Sequence, residues 1–186
     1  MNTGIIASRY ATALLKLVDE TGSGETVVAQ VQLLLDALES VPELRRAVDD
    51  STSVSAAQKM ALFETVVPGL SGNLRRFLEL LIHNGRIGDS TLIFNSFLGL
   101  YYKSRGIVRG RLAVPDYSSG TATLETRLKD LVEQKTGQRL LLTTEVDPSL
   151  LGGFVFELED RLLDASVSHQ LDIIKRQFID KNRRIV

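Results

Sequence analysis

The apolar residues of this chain change their period once, near Arg105-Gly106, and that change restricts the fold to a helical part followed by a mixed one. Before it, apolar residues recur every three or four positions, which places them on one face of a helix; after it they alternate, as on a strand with one buried face. Ile6, Tyr10, Ala13, Leu14 and Leu17 form the first such stripe, between Ile5 and Glu20, and Val27, Val31, Leu34, Leu35 and Leu38 form the second. Ser40-Val41-Pro42-Glu43 and Ser55-Ala56-Ala57-Gln58 both have the form of a capping box. In that motif a hydroxyl and the side chain three residues on satisfy the free N–H groups of a helix start, so a third and a fourth helix are predicted there. Pro68-Gly69 stops the fourth near Val67, and a fifth carries Leu70, Leu74, Phe77, Leu78 and Leu81 up to Asn84-Gly85. A sixth runs from about Asp89 to Ser104. Six helices with short connections and this much apolar stripe predict a bundle around one core.

Beyond Gly106, Val108, Leu112 and Val114 alternate with Arg109, Arg111 and Ala113, the pattern of a half-buried strand, and Pro115 to Gly120 reads as a loop. Leu124, Leu128, Leu131 and Val132 restore helical spacing until Gly137. Leu140 to Val146, Phe154 to Leu158 and Arg161 to Ala165 read as strands, with Glu159-Asp160 turning between the last two, and a helix carrying Leu171, Ile174 and Phe178 closes the chain. The reading is therefore multi-domain: a six-helix bundle over residues 1–105 and a small mixed α/β domain over 106–186.

Composition excludes several functions. The 186 residues are 44% apolar, enough to fill a core in either arrangement. Lys and Arg total 22 against 23 Asp and Glu, so no global charge attracts nucleic acid. The lack of cysteine removes disulfides and thiolate chemistry and favours a reducing, intracellular compartment. Met1 to Ile6 has no basic-then-apolar leader pattern, so no signal or transit peptide is expected. The uncharged stretch from Ser90 to Tyr102 is too short for the ~20 apolar residues that cross a bilayer, so no direct membrane insertion is expected.

Reactive groups are sparse. No phosphate-cradling G-x-x-x-x-G-K-[ST] or G-x-G-x-x-G motif occurs, and no cofactor is expected. His83 and His169 have no ligand-type partner at helical spacing, so neither reads as a metal site. Asp160 with Asp164, or Glu157 with Glu159, form carboxylate pairs, but charges beside a turn are ordinarily solvated, and no enzyme is inferred. Lys103, Arg105, Arg109 and Arg111 form an acid-free basic run, and Lys175, Arg176, Lys181, Arg183 and Arg184 another cluster. An RNA-binding helical regulator is the rival function such cations allow; few aromatic residues and a neutral total charge weigh against it.

The first helix is apolar over more than one contact face, since Ala7, Ala11, Leu15 and Val18 flank its main stripe. The fifth adds Leu80 and Ile82 to its own. Two central bundle helices would look like this, and so would a groove that receives a partner's amphipathic helix.

Particular residues carry a resemblance. Ser8-Arg9-Tyr10-Ala11-Thr12-Ala13-Leu14 resembles the opening helix of F-type ATP synthase delta subunits, the family of the oligomycin-sensitivity-conferral protein, and Leu80-Leu81-Ile82-His83-Asn84-Gly85-Arg86 resembles their fifth-helix ending. Asp147-Pro148-Ser149-Leu150-Leu151-Gly152-Gly153-Phe154, then Leu163-Asp164-Ala165-Ser166-Val167 and Gln170-Leu171, is similar to the C-terminal signature. His169 departs from the small or basic residue expected before that Gln-Leu pair. Physically, Gly152-Gly153 permits positive φ or a close backbone approach, and Ser166 or Ser168 can cap the last helix.

The resemblance implies a non-catalytic stator subunit linking the catalytic head to the peripheral stalk, on the cytoplasmic face of a bacterial membrane. It implies that the first and fifth helices hold the N-terminal helix of an alpha subunit, with Tyr10, Ala11, Leu14, Leu15, Val18, Phe77, Leu78, Leu81 and Ile82 as the groove region. It further implies that the C-terminal domain holds the b subunits. Periodicity leaves open which of these side chains face the core instead.

Overall fold

The computed structural model describes residues 3–50, 53–159 and 161–183, and the chain divides into two compact units, Met1–Tyr101 and Tyr102–Val186. The protein is mainly helical with a small α/β part. Among the described residues the first strand is preceded by α1 (Thr3–Thr21), α2 (Gly24–Ser40), α3 (Pro42–Asp49), α4 (Ala56–Val66), α5 (Gly72–His83), a single 3-10 turn (Ile87–Asp89) and α6 (Ser90–Ser104).

The helix starts show local chemistry at work. Ser55 caps α4 with the full reciprocal box: Gln58 N–H donates to Ser55 Oγ, and Gln58 Oε1 accepts from the Ser55 N–H at 2.8 Å. The box expected at Ser40 does not form. Pro42 takes the first helical position of α3, so Val41 becomes the cap, and Ser40 remains the last residue of α2 with its hydroxyl donating back to the Asp36 carbonyl at 2.5 Å. Ser71 caps α5 by accepting from the Leu74 N–H at 3.4 Å.

The core of the first unit is made where the stripes meet. Leu14, Val18, Val27, Leu34, Phe63, Leu74, Leu78, Leu81, Phe94 and Phe97 are all buried there. Gln30, Lys59 and Ser90 are polar residues buried with them, and the first two bond across elements. Gln30 on α2 donates to the Gly69 carbonyl and accepts from the Ser71 N–H, both at 3.1 Å, fixing the turn before α5. Lys59, only 5% exposed, donates its Nζ to the Val48 carbonyl at 2.6 Å, placing a cation against the last turn of α3, where the helix dipole favours it.

The second unit contains β1 (Ile107–Val114), α7 (Ser119–Thr136), β2 (Arg139–Val146), β3 (Val155–Leu158), β4 (Arg161–Asp164) and α8 (Val167–Arg183). The sheet order is β2-β1-β3-β4, with β1 and β2 parallel and the other pairs antiparallel. A parallel pair needs a crossover, and α7 supplies it. Val108, Leu112, Val114, Leu140 and Phe156 project from one face of the sheet onto Leu128 and Val132 of α7. Glu159 turns the β3–β4 hairpin with φ of 51°. The ladder continues past β4: Ala165 N–H donates to the Phe154 carbonyl at 2.9 Å and Val167 N–H to the Gly152 carbonyl at 3.0 Å. Gly153 makes this approach possible, since its φ is +78° and a Cβ there would lie 2.2 Å from the Ala165 oxygen. Ser166 then caps α8, accepting from the His169 N–H at 3.2 Å.

Candidate functional site, a groove between the first and fifth helices

Helices α1 and α5 run antiparallel. Asn73, at the start of α5, donates to Thr21 Oγ1 at the end of α1, and Asn84, at the end of α5, donates to the Tyr10 hydroxyl at 3.1 Å. The Tyr10 and Phe77 rings meet edge to face with centroids 6.4 Å apart. Along this seam lies an open groove lined by Ile6, Arg9, Tyr10, Ala13, Leu80 and Arg86. The α1 contributors are spaced i, i+3, i+4 and i+7, so they share one helix face. Nearby, Ile5 is 58% and Leu80 45% exposed, apolar side chains without cover.

The residues expected at a groove separate into two groups. Ala11, Leu14, Val18, Phe77, Leu78 and Leu81 are between 0% and 4% exposed, so they belong to the core beneath the seam. Tyr10, Leu15 and Ile82 are half-buried. Of these, Tyr10 lines the α1/α5 groove, whereas Ile82 lines a second one between α4 and α5 with Ala56, Ala57, Met60, Glu79 and His83. Ile6, Arg9, Ala13, Leu80 and Arg86 were outside the expected set. The edge of the apolar stripe, rather than its centre, was the signal that marks them.

The other singled-out residues have ordinary surroundings. Arg111 is 3.5 Å from Glu145 on the neighbouring strand, and Arg109 lies over the Tyr102 ring at 5.6 Å, so the acid-free basic run of the sequence is not acid-free in space. Asp164 accepts from the Ser166 N–H at 2.9 Å and sits 3.8 Å from His169; the Ser166 hydrogen bonds chiefly hold its carboxyl below the usual range. Glu157 is exposed on its strand. Asp160 and Arg184 fall outside the described residues, as do the side chains of Phe178, Lys181 and Arg183. Among the described residues no His, Cys, Asp or Glu cluster of three could hold a metal, and no helix is long and apolar enough to cross a membrane.

On α8, Val167, Leu171 and Ile174 are 39%, 55% and 48% exposed at i, i+4 and i+7, a second uncovered apolar stripe.

The family model for the ATP synthase delta (OSCP) subunit matches residues 6–178. The chain belongs to that family. It is 36% identical over 187 residues to the ATP synthase subunit delta of Phocaeicola vulgatus, and 38% identical over 193 residues to that of Bacteroides fragilis, in both cases across 100% of each chain. Its fold is similar to a chain in a cryo-EM structure of the Toxoplasma gondii mitochondrial ATP synthase hexamer, with a TM-score of 0.67 at 21% identity over 93% of this chain and 97% of that one. Delta (OSCP) subunits are structural parts of the ATP synthase stator and are not catalytic. For a delta-family chain, apolar grooves and uncovered helix stripes are the functional surfaces to interpret, because holding partners requires no reactive group.

Proposed function

We propose that this chain links the catalytic head of an F-type ATP synthase to its peripheral stalk, so that the head does not turn with the central stalk. In this reading residues 1–105 act as a six-helix bundle at the head, and the N-terminal helix of an alpha subunit lies in the α1/α5 groove. Residues 106–186 hold the b subunits, for which the exposed stripe of Val167, Leu171 and Ile174 offers an apolar helix face. The protein works at the cytoplasmic face of a bacterial membrane, held there by its partners.

The observation that carries the reading is the groove itself. Ile6, Tyr10, Ala13 and Leu80 give an apolar trough between two antiparallel helices, the shape that receives an amphipathic helix. Ala11, Leu14, Phe77 and Leu81 are buried in the core beneath the seam, so the two helices that bear the trough are already packed before a partner arrives.

Calorimetric titration of the full chain with a synthetic peptide of the cognate alpha subunit's N-terminus tests this. One-to-one binding with Kd of about 1 µM or tighter, equivalent to ~8 kcal/mol, and a negative heat-capacity change is the expected result. Absence of binding by the folded chain would overturn the docking assignment.

A further inference from the structure

The α1/α5 groove is not uniformly apolar. Arg9 and Arg86 line it together with the apolar residues, and among the described residues no aspartate or glutamate does. Arg9 stands three residues after Ile6 and four before Ala13, on the groove face of α1. Arg86 is placed by the way α5 ends. Gly85, at φ of +63°, lets its own N–H reach the Ile82 carbonyl at 3.0 Å and the Arg86 N–H reach the Leu81 carbonyl at 2.8 Å. These are the paired bonds of a Schellman ending, which fixes the backbone from which Arg86 departs. Because the helices are antiparallel, that point lies toward the N-terminal half of α1, where Arg9 is. Arg86 has Asp89 at 3.7 Å, and its side chain remains 37% exposed. A single contact of that length leaves most of the guanidinium's five donors for another acceptor.

We propose that this groove selects its occupant by charge as well as by shape: the docked helix carries a carboxylate beside its apolar face, and Arg9 and Arg86 receive it. The proposal rests on the docking reading above. Its physical basis is the cost of covering cations. A helix that lies over two guanidinium groups strips water from them, which is unfavourable unless a counter-charge replaces that water. An acidic helix gains planar, two-pronged hydrogen bonds there, while a neutral or basic one is penalised, so the arginines discriminate among helices of equal apolarity.

The test uses the full chain and a peptide of ~20 residues, about 30 Å of helix, from the N-terminus of the cognate alpha subunit. A second peptide has every aspartate and glutamate changed to asparagine and glutamine. The double variant Arg9→Gln, Arg86→Gln is expected to bind the natural peptide on the order of tenfold more weakly at low salt. Arg9→Lys with Arg86→Lys should recover part of that loss. The neutralised peptide should lose the preference for the parent and bind the glutamine variant at least as tightly, because no carboxylate offsets the desolvation of the arginines. Salt near ~0.5 M should narrow the difference between the two proteins for the natural peptide. Both substitutions are at solvent-accessible positions, and an unchanged urea midpoint verifies folding. Equal binding of the natural peptide by the parent and the glutamine variant overturns the charge proposal and leaves docking by shape intact. A natural peptide that lacks any acidic residue overturns it too. Failure of every form to bind removes the docking reading, and this inference with it.

Discussion

The side-chain amide of Asn84, one residue beyond α5, donates a hydrogen bond to the hydroxyl of Tyr10 on α1 at 3.1 Å. It ties the end of one groove wall to the middle of the other. Asn84→Ala removes the donor and is expected to lower stability by about 0.5–1 kcal/mol, since the bond is exposed and competes with water. Tyr10→Phe should lose a similar amount, and the double variant no more than either alone, in urea unfolding. Strict additivity would show that the two side chains are not energetically coupled.

Stability and partner binding should separate along α1 and α5. Leu14 is fully buried, so Leu14→Ala is expected to destabilise by about 2–5 kcal/mol through the cavity it leaves. Leu80 is 45% exposed, so Leu80→Asp should shift stability by no more than about 0.5 kcal/mol while weakening binding of the alpha-subunit peptide. Urea midpoints and calorimetry on the same samples check this. Loss of folding in Leu80→Asp would place that side chain in the core.

Glycine substitutions should differ by site. Gly153→Ala combines a φ of +78° with a Cβ 2.2 Å from the Ala165 oxygen, and should cost more than about 2 kcal/mol in the second unit. Gly72→Ala meets open space at the start of α5 and should be neutral or stabilising by up to about 1 kcal/mol. Thermal melts followed by circular dichroism distinguish the two.

Acid should weaken the second unit. Glu125 accepts from Thr144 Oγ1 at 2.5 Å and from the Tyr117 hydroxyl at 3.1 Å, and the Thr144 bond is the main cause of its lowered pKa. Asp147 is lowered chiefly by the Ser149 hydroxyl, and Asp164 by Ser166. Each carboxyl holds its proton less tightly when folded than when unfolded. Their contribution is therefore present above the ordinary carboxylate range, near pH 4, and is lost as pH falls through the lower folded values. The urea midpoint should drop between about pH 5 and 3. Asp164→Asn should flatten part of that drop, and an unchanged slope would count against the Ser166 contacts as its source.

Much of the architecture is legible in the spacing of apolar residues, because one buried face leaves a period that survives in a single sequence. The break near Arg105-Gly106 lies a few residues beyond the Tyr101–Tyr102 division between the units, and the Ser55 box and the Asn84-Gly85 ending form as their residue types require. Ser40 shows the limit. Two signals overlap there, and the proline at the first helical position sets the boundary, which turns the serine back into α2. The groove was only half legible for a geometric reason. Period identifies the centre of a stripe, and the centre of α1, at Ala11, Leu14 and Val18, is buried in the unit's core. What remains open to a partner is the margin, Ile6, Ala13 and Leu80, where apolar residues adjoin Arg9 and Arg86. Lys59 was illegible, because a lysine on a helix reads as solvated until the carbonyl end of another helix is found beside it.

The rungs from Ala165 to Phe154 and from Val167 to Gly152 have a mechanical meaning. A pull delivered along α8 enters the sheet at the open end of the β3–β4 hairpin, and these two backbone bonds lie first in line. Antiparallel strands drawn apart at that end yield by unzipping, one rung after another, so the force that frees the edge strand β4 is set locally there, while the core under α7 lies on the other strands. A side chain added at residue 153 would disturb these first rungs, since its Cβ would lie 2.2 Å from the Ala165 oxygen, and would lower the resistance of that end of the hairpin to such a pull.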